Sequence, residues 1–161
     1  MCHIISTSNK MQEYKPIWIK EPSEEQIRNR LTISKKSICQ KLRMAAIHGS
    51  VWLIKNCLEE TNVIIDLNDA LELASFYNNV EIVKLILSDK RCNPSSEHNY
   101  AIRWAAENGH LNIIKLLIKD KRINPAAGNN HAIRWALENG HFDIVEELSR
   151  DYRVKKSGYL I

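Results

Sequence analysis

The sequence predicts an all-α solenoid of stacked helix-turn-helix repeats joined by short loop or β-turn fingers. Three observations predict it. Asp89–Lys119 returns as Asp120–Arg150 at an offset of 31 residues, with 17 of 31 positions identical and no gap; a fixed period of roughly 20 to 50 residues marks a repeat architecture. Apolar residues recur at i, i+3, i+4 spacings through most of the chain, the period of a helix with one buried face. A residue suited to left-handed backbone, Gly49, Asn78, Gly109 or Gly140, separates the members of each helix pair.

Taken in order, residues 1–22 hold no sustained period, apart from Ile17-Trp18-Ile19 between two prolines, and read as a flexible N-terminal segment. Ser23-Glu24-Glu25-Gln26 has the form of a capping box. With Ile27 and Leu31 on one face, it opens a short covering helix within 23–35. The repeat domain then spans 36–154, divided at about 36–60, 61–91, 92–122 and 123–154, with a tail at 155–161. Its first pair runs from about Lys36 to Ile47 and onward from Val51, where Leu53, Ile54, Cys57 and Leu58 share a face. Leader residues Thr61–Leu67 bring the chain to a second pair, Asn68–Tyr77 and Val80–Leu87. Asn99–Asn108 with Leu111–Lys119, and Asn130–Asn139 with Phe142–Ser149, complete the set.

Alignment of the four pairs gives each position a purpose. Ala45, Ala74, Ala105 and Ala136 recur where neighbouring first helices must approach closely, and large aliphatics of the second helices fill the layers between repeats. Leu116 and Ile118 become Glu147 and Ser149 in the last repeat, as expected of a terminal repeat facing water. After Val154 the expected Asn-Pro is replaced by Lys155-Lys156, so the array is read as ending there.

Composition excludes several classes. At 161 residues with 44% hydrophobic and 26% charged content, the chain is a soluble globular protein with a modest core. It carries no apolar run of about 18 residues and no signal-peptide block. The scattered cysteines Cys2, Cys39, Cys57 and Cys92 suit a reducing interior, so a cytoplasmic location is expected. Net charge is +4; residues 1–60 hold 10 basic against 6 acidic residues, and residues 61–161 hold 13 of each. That diffuse N-terminal excess leaves weak binding of nucleic acid or an anionic surface as one alternative function, disfavoured because such binders draw on a clustered patch; a structural array with no specific partner is the other.

At Ala105-Ala106, Gly109-His110, Ile113-Ile114 and Leu116-Leu117 the chain resembles an ankyrin repeat, and Asn93 and Asn124 match the asparagine that opens the family's β-turn finger. The resemblance covers about 36–154 and is strongest in the third and fourth repeats. Two departures stand out. The family's Thr-Pro-Leu-His is Tyr100-Ala101-Ile102-Arg103 here and His131-Ala132-Ile133-Arg134 in the next repeat, and the period is two residues short of the usual ~33. The connector Asp-Lys-Arg-Ile-Asn-Pro-Ala-Ala with Ala-Ile-Arg-Trp-Ala is similar to a divergent ankyrin group in giant DNA viruses that infect amoebae. The resemblance implies a non-catalytic interaction module that binds a partner protein on the concave surface of first helices and fingers. If viral, it would engage a host protein in the host-cell cytoplasm. No small-molecule substrate, cofactor, metal or membrane is implied, and a monomer is expected.

Candidate binding residues follow from register. Trp104 and Trp135 lie about 200° round the helix from Ile102 and Ile133, at ~100° per residue. With Met44 and Leu73 they form one apolar column on the concave side. The column is either a partner-binding stripe, since Trp is enriched at hot spots, or sideways packing between repeats. The next column holds Arg43, Glu72, Arg103 and Arg134. Its arginines can stack on the rings or pair with carboxylates such as Glu107 and Glu138, four residues on, the pairing being the expected role, with recognition of an acidic ligand as the alternative. In the family the histidine of the Gly-His turn bonds loop backbone, the role expected for His110 and His141. Repeat-spaced residues stand about 10 Å apart, too far to share one metal ion. His48, His98 and His131 lack a ligand partner at suitable spacing. Cys39 and Cys57 lie on apolar helical faces and read as inert thiols. No Gly-rich phosphate loop, G-x-S-x-G or H-E-x-x-H occurs.

Overall fold

The computed structural model describes residues 38–59, 67–95 and 99–158. The expected N-terminal segment 1–22, the covering helix within 23–35, most of the leader and His98 lie outside them. The chain divides into Met1–Lys36 and Ser37–Ile161, and every described helix belongs to the second unit. In order these are α1 Ile38–His48, α2 Val51–Glu59, α3 Leu67–Phe76, α4 Val80–Ser88, α5 Tyr100–Glu107, α6 Leu111–Lys119, α7 Ala127–Glu138, α8 Phe142–Arg150 and α9 Tyr152–Lys156. Among the described residues no strand occurs. First helices α1, α3, α5 and α7 pack each on the next, and second helices α2, α4, α6 and α8 do the same. This is an all-α solenoid of the ankyrin type.

Each pair turns on one left-handed residue. Gly49, Asn78, Gly109 and Gly140 have φ of 70°, 60°, 76° and 76°. That conformation lets the next N–H close the helix end: Ser50, Asn79, His110 and His141 donate to the carbonyls of Ala45, Ala74, Ala105 and Ala136 at 2.8–3.0 Å. Those four alanines are fully buried. A larger side chain there would hold adjacent first helices apart. The layers behind are filled in register by Ile54, Val83, Ile114 and Val145, and by Cys57, Ile86, Leu117 and Leu148, all buried.

Three sets of side chains tie each repeat to the one before, and all reach backbone or loop groups about a period away. Asn79 Nδ2 donates to the carbonyls of Ala46 (2.6 Å) and Ile47 (3.1 Å). His110 and His141 present Nε2 to the carbonyls of Phe76 (2.9 Å) and Glu107 (3.0 Å). The role expected of the two histidines is thus observed, and Asn79 performs it in the second repeat. Asn68 and Asn99 accept the N–H of Asn93 (2.9 Å) and Asn124 (3.2 Å), fixing each finger to the preceding first helix where Thr-Pro-Leu-His is missing.

The third set is Asp-x-Arg. Asp120 chelates Arg122, and the guanidinium reaches the carbonyls of Leu87 and Cys92, both at 2.9 Å. Arg153, held by Asp151, reaches Ile118 (2.8 Å) and Ile123 (2.6 Å); Arg91, held by Asp89, reaches Leu58 (2.7 Å). The carboxylate points an otherwise floppy arginine at its neighbour.

Of two local features, the first agrees with the sequence reading and the second departs from it. Within α7, Gly128, Asn129 and Asn130 are left-handed, so right-handed helix begins at His131, next to the expected start at Asn130. The chain also continues in helical form past Val154: α9 runs to Lys156, with Asp151 as its cap, and Ser157 Oγ donates to Asn130 Oδ1 at 2.9 Å. Buried Val154 takes the place that Cys92 and Ile123 hold earlier. Among the described residues the large apolar side chains left open are Leu137, Phe142 and Tyr152, all in the last repeat.

The Asp151 carboxyl is held below its ordinary value of 3.8, first by the Arg153 side-chain hydrogen bond, then against desolvation, with the Arg153 N–H and charge adding. A depressed folded value means the unfolded chain binds more protons in that window, so stability rises with pH there. The contribution is complete above 3.8 and is lost as pH falls through the lower folded value. Asp151→Asn should lower stability by about 1–3 kcal/mol at neutral pH, and denaturant melts should find the gap to wild type narrowing below pH 3.8. A gap independent of pH would contradict this staple.

Candidate partner-binding face

The first helices carry the candidate residues, and packing sorts them. Position 104 lies one residue before the close-approach alanine, so its side chain leans toward the seam between neighbouring first helices. A ring fits there only if the next repeat offers a surface to receive it. Trp104 meets Phe76 edge-on at 5.8 Å, Tyr100 in a stack at 6.1 Å and Trp135 at a tilt at 5.8 Å. These rings join the second, third and fourth repeats in one aromatic belt. Offset and edge contacts of this kind add about 0.5–1.5 kcal/mol each beyond burial.

Leu73 is 0% exposed and Trp104 3%, so both lie beneath the face. Met44 and Trp135 are half-buried and meet solvent at either end of the column. The predicted apolar column therefore forms, but two of its four members are closed by their neighbours. Phe76 and Tyr77, 5.0 Å apart, extend the belt. Sequence reading gave them no role, because the belt runs diagonally between repeats and no single-helix period reveals it.

Arg103 is only 8% exposed. Its guanidinium carbon lies 4.4 Å from the Tyr100 ring centre and 5.1 Å from that of Trp135. The expected pairs Arg103–Glu107 and Arg134–Glu138 do not form among the described residues. For Arg103 the reason is visible: two rings hold its guanidinium, one from its own helix and one from the next repeat. Its Nε is buried and without a hydrogen-bond partner, as are Trp104 Nε1 and Glu107 Oε2.

Charge on this face follows from burial. Desolvation raises the Glu107 carboxyl, against the pull of Arg103. Desolvation first, then Arg103 and Arg134, hold the His131 imidazole below its usual range, with Glu138 opposing. Both arginines thus bear on one ring, which itself lies 4.9 Å from Trp135. His110, on the opposite side of the turn, is lowered mainly by desolvation.

The remaining candidates are placed as follows. Arg43 pairs with Asp69 at 2.6 Å. Cys57 is buried, whereas Cys39, expected on an apolar face, is exposed near the start of α1. Among the described residues no group of three His, Cys, Asp or Glu is placed to hold a metal ion, and no helix is long and apolar enough to cross a membrane.

Comparison with known proteins agrees with this architecture. A family profile described as ankyrin repeats (3 copies) matches residues 71–157. No curated protein sequence matches significantly. Solved structures do, among them the X-ray structure of an ankyrin repeat family protein from Legionella pneumophila, with TM-score 0.63 and 19% identity over 90% of this chain. The chain spans 50% of the length of that protein.

Burial makes Trp104 and Trp135 unequal. Trp104→Ala should cost about 3–5 kcal/mol in denaturant melts, as for other buried aromatics, and Trp135→Ala less. Equal costs would mean that the two rings share one environment.

Proposed function

The chain belongs to the ankyrin repeat family, and from that membership we propose that it binds a partner protein across the face formed by its first helices, the concave side of an ankyrin stack. Ankyrin repeats are generally protein–protein interaction modules, and no enzymatic family is indicated. The observation that carries the proposal is the half-open end of the aromatic belt. Trp135 is half-buried and meets solvent while Trp104, His131 and Arg103 pack against it. A rigid, half-buried tryptophan loses little freedom on binding and removes a large apolar area from water, the features of an interface hot spot.

On this reading Met44, Trp135, Arg103 and Arg134 meet the partner, and Leu73 and Trp104 support them from below. We further propose that the protein is viral and engages a host protein in the cytoplasm. What supports this is the Asp-Lys-Arg-Ile-Asn-Pro-Ala-Ala connector with Ala-Ile-Arg-Trp-Ala, the pattern similar to ankyrin proteins of amoeba-infecting giant viruses.

The test is affinity capture from amoebal lysate with wild type and Trp135→Ala, matched for helicity by circular dichroism. Specific partners should be lost from the variant. Retention of the same partners would move recognition off this face.

A further inference from the structure

Seven arginines fall within the described residues. Five of them, Arg43, Arg91, Arg122, Arg150 and Arg153, have a carboxylate within 4 Å; Arg103 and Arg134 have none. The two exceptions occupy the same register position in consecutive repeats, on the face assigned above to the partner. The third arginine of that column, Arg43, is paired with Asp69.

Arg103 is the more informative of the two. The Tyr100 and Trp135 rings lie 4.4 and 5.1 Å from its guanidinium carbon, Nε is buried, and among the described residues no side-chain hydrogen bond joins it to the chain. Only Nε is both buried and unpartnered, so the two terminal nitrogens keep solvent contact. A guanidinium packed against two rings, with no hydrogen bond or ion pair at its terminal nitrogens, keeps a donor pair suited to a planar, bidentate acceptor, the geometry of a carboxylate. The rings hold the cation without neutralising it. Glu107, four residues on, makes no ion pair with it. Arg134 supplies a second cation about one helix separation away, roughly 10 Å.

We propose that this face recognises an acidic segment of a partner protein, one carboxylate docking on the edge of Arg103 and a second reaching Arg134. This rests on the partner-binding reading above and adds the chemistry of the partner. The held guanidinium has given up its rotamer freedom during folding, so a carboxylate arriving at it meets a preorganised donor pair. Trp135 contributes the apolar wall beside it.

The experiment is a random peptide library selected against the full chain, followed by calorimetry on the strongest synthetic peptide. Enriched peptides should share two Asp or Glu residues. Arg103→Met, which keeps most of the aliphatic packing, should weaken binding about 10- to 100-fold, the value of a charge-assisted hydrogen bond. Arg134→Met should act in the same direction, and it carries the test if Arg103→Met does not fold. Replacing by an amide the one peptide carboxylate that docks on Arg103 should cost as much in wild type and nothing further in Arg103→Met, whereas replacing the other should still cost affinity in that variant. Lys115→Met, exposed on α6, should change nothing. Peptides without acidic residues that bind both arginine variants normally but are lost from Trp135→Ala overturn the acidic partner and leave the face intact. Peptides indifferent to all three variants, or no enrichment at all, overturn both readings.

Discussion

The structure depends on side chains that leave one repeat to bond a carbonyl of the one before or a loop N–H of the one after. A helix pair of this size cannot bury its apolar face alone, and apolar contact between flat stacked layers does not fix their register. Hydrogen bonds to defined backbone groups do. Asn79, His110 and His141 perform this at the turns, Asn68 and Asn99 at the fingers, and Arg91, Arg122 and Arg153 along the second helices. Each is held by its own repeat: the histidines by following a left-handed glycine, the arginines by an aspartate two residues earlier.

These ties set the geometry of the binding face. They bring α5 and α7 to the separation at which Trp104 fills the seam and Trp135 closes over the Arg103 guanidinium. The cation is therefore positioned by two repeats at once. A partner that docks on it reads the stacking of the array as well as the residues of one helix.

Much of this was legible in the sequence, for physical reasons. Gly49, Asn78, Gly109 and Gly140 stand where only left-handed backbone turns the chain, so they marked the repeats directly, and the buried alanines marked the close approach. The role of the histidines came with the family resemblance. The aspartate–arginine staples were visible as the repeated Asp89-Lys90-Arg91 motif, but their targets lie about a period away and no local spacing points to them. Arg103 was misassigned to Glu107 for a related reason: position i+4 is what a single helix offers, and the ring that claims the guanidinium belongs to the next repeat. The burial of Trp104 and the continuation into α9 depend in the same way on neighbours that helical periodicity does not include.

The direct test of register by lateral bonding compares two glycines with the same backbone angle, φ 76°. A Cβ on Gly109 would meet the His141 ring at 2.7 Å, whereas one on Gly140 has nothing within 4 Å. Denaturant melts of Gly140→Ala should read the left-handed penalty alone, about 1–2 kcal/mol. Gly109→Ala should cost more, and in a His141→Ala background the excess should vanish. Equal costs for the two glycines in the wild-type background would contradict the account, because the histidine tie would then be one the array does not need.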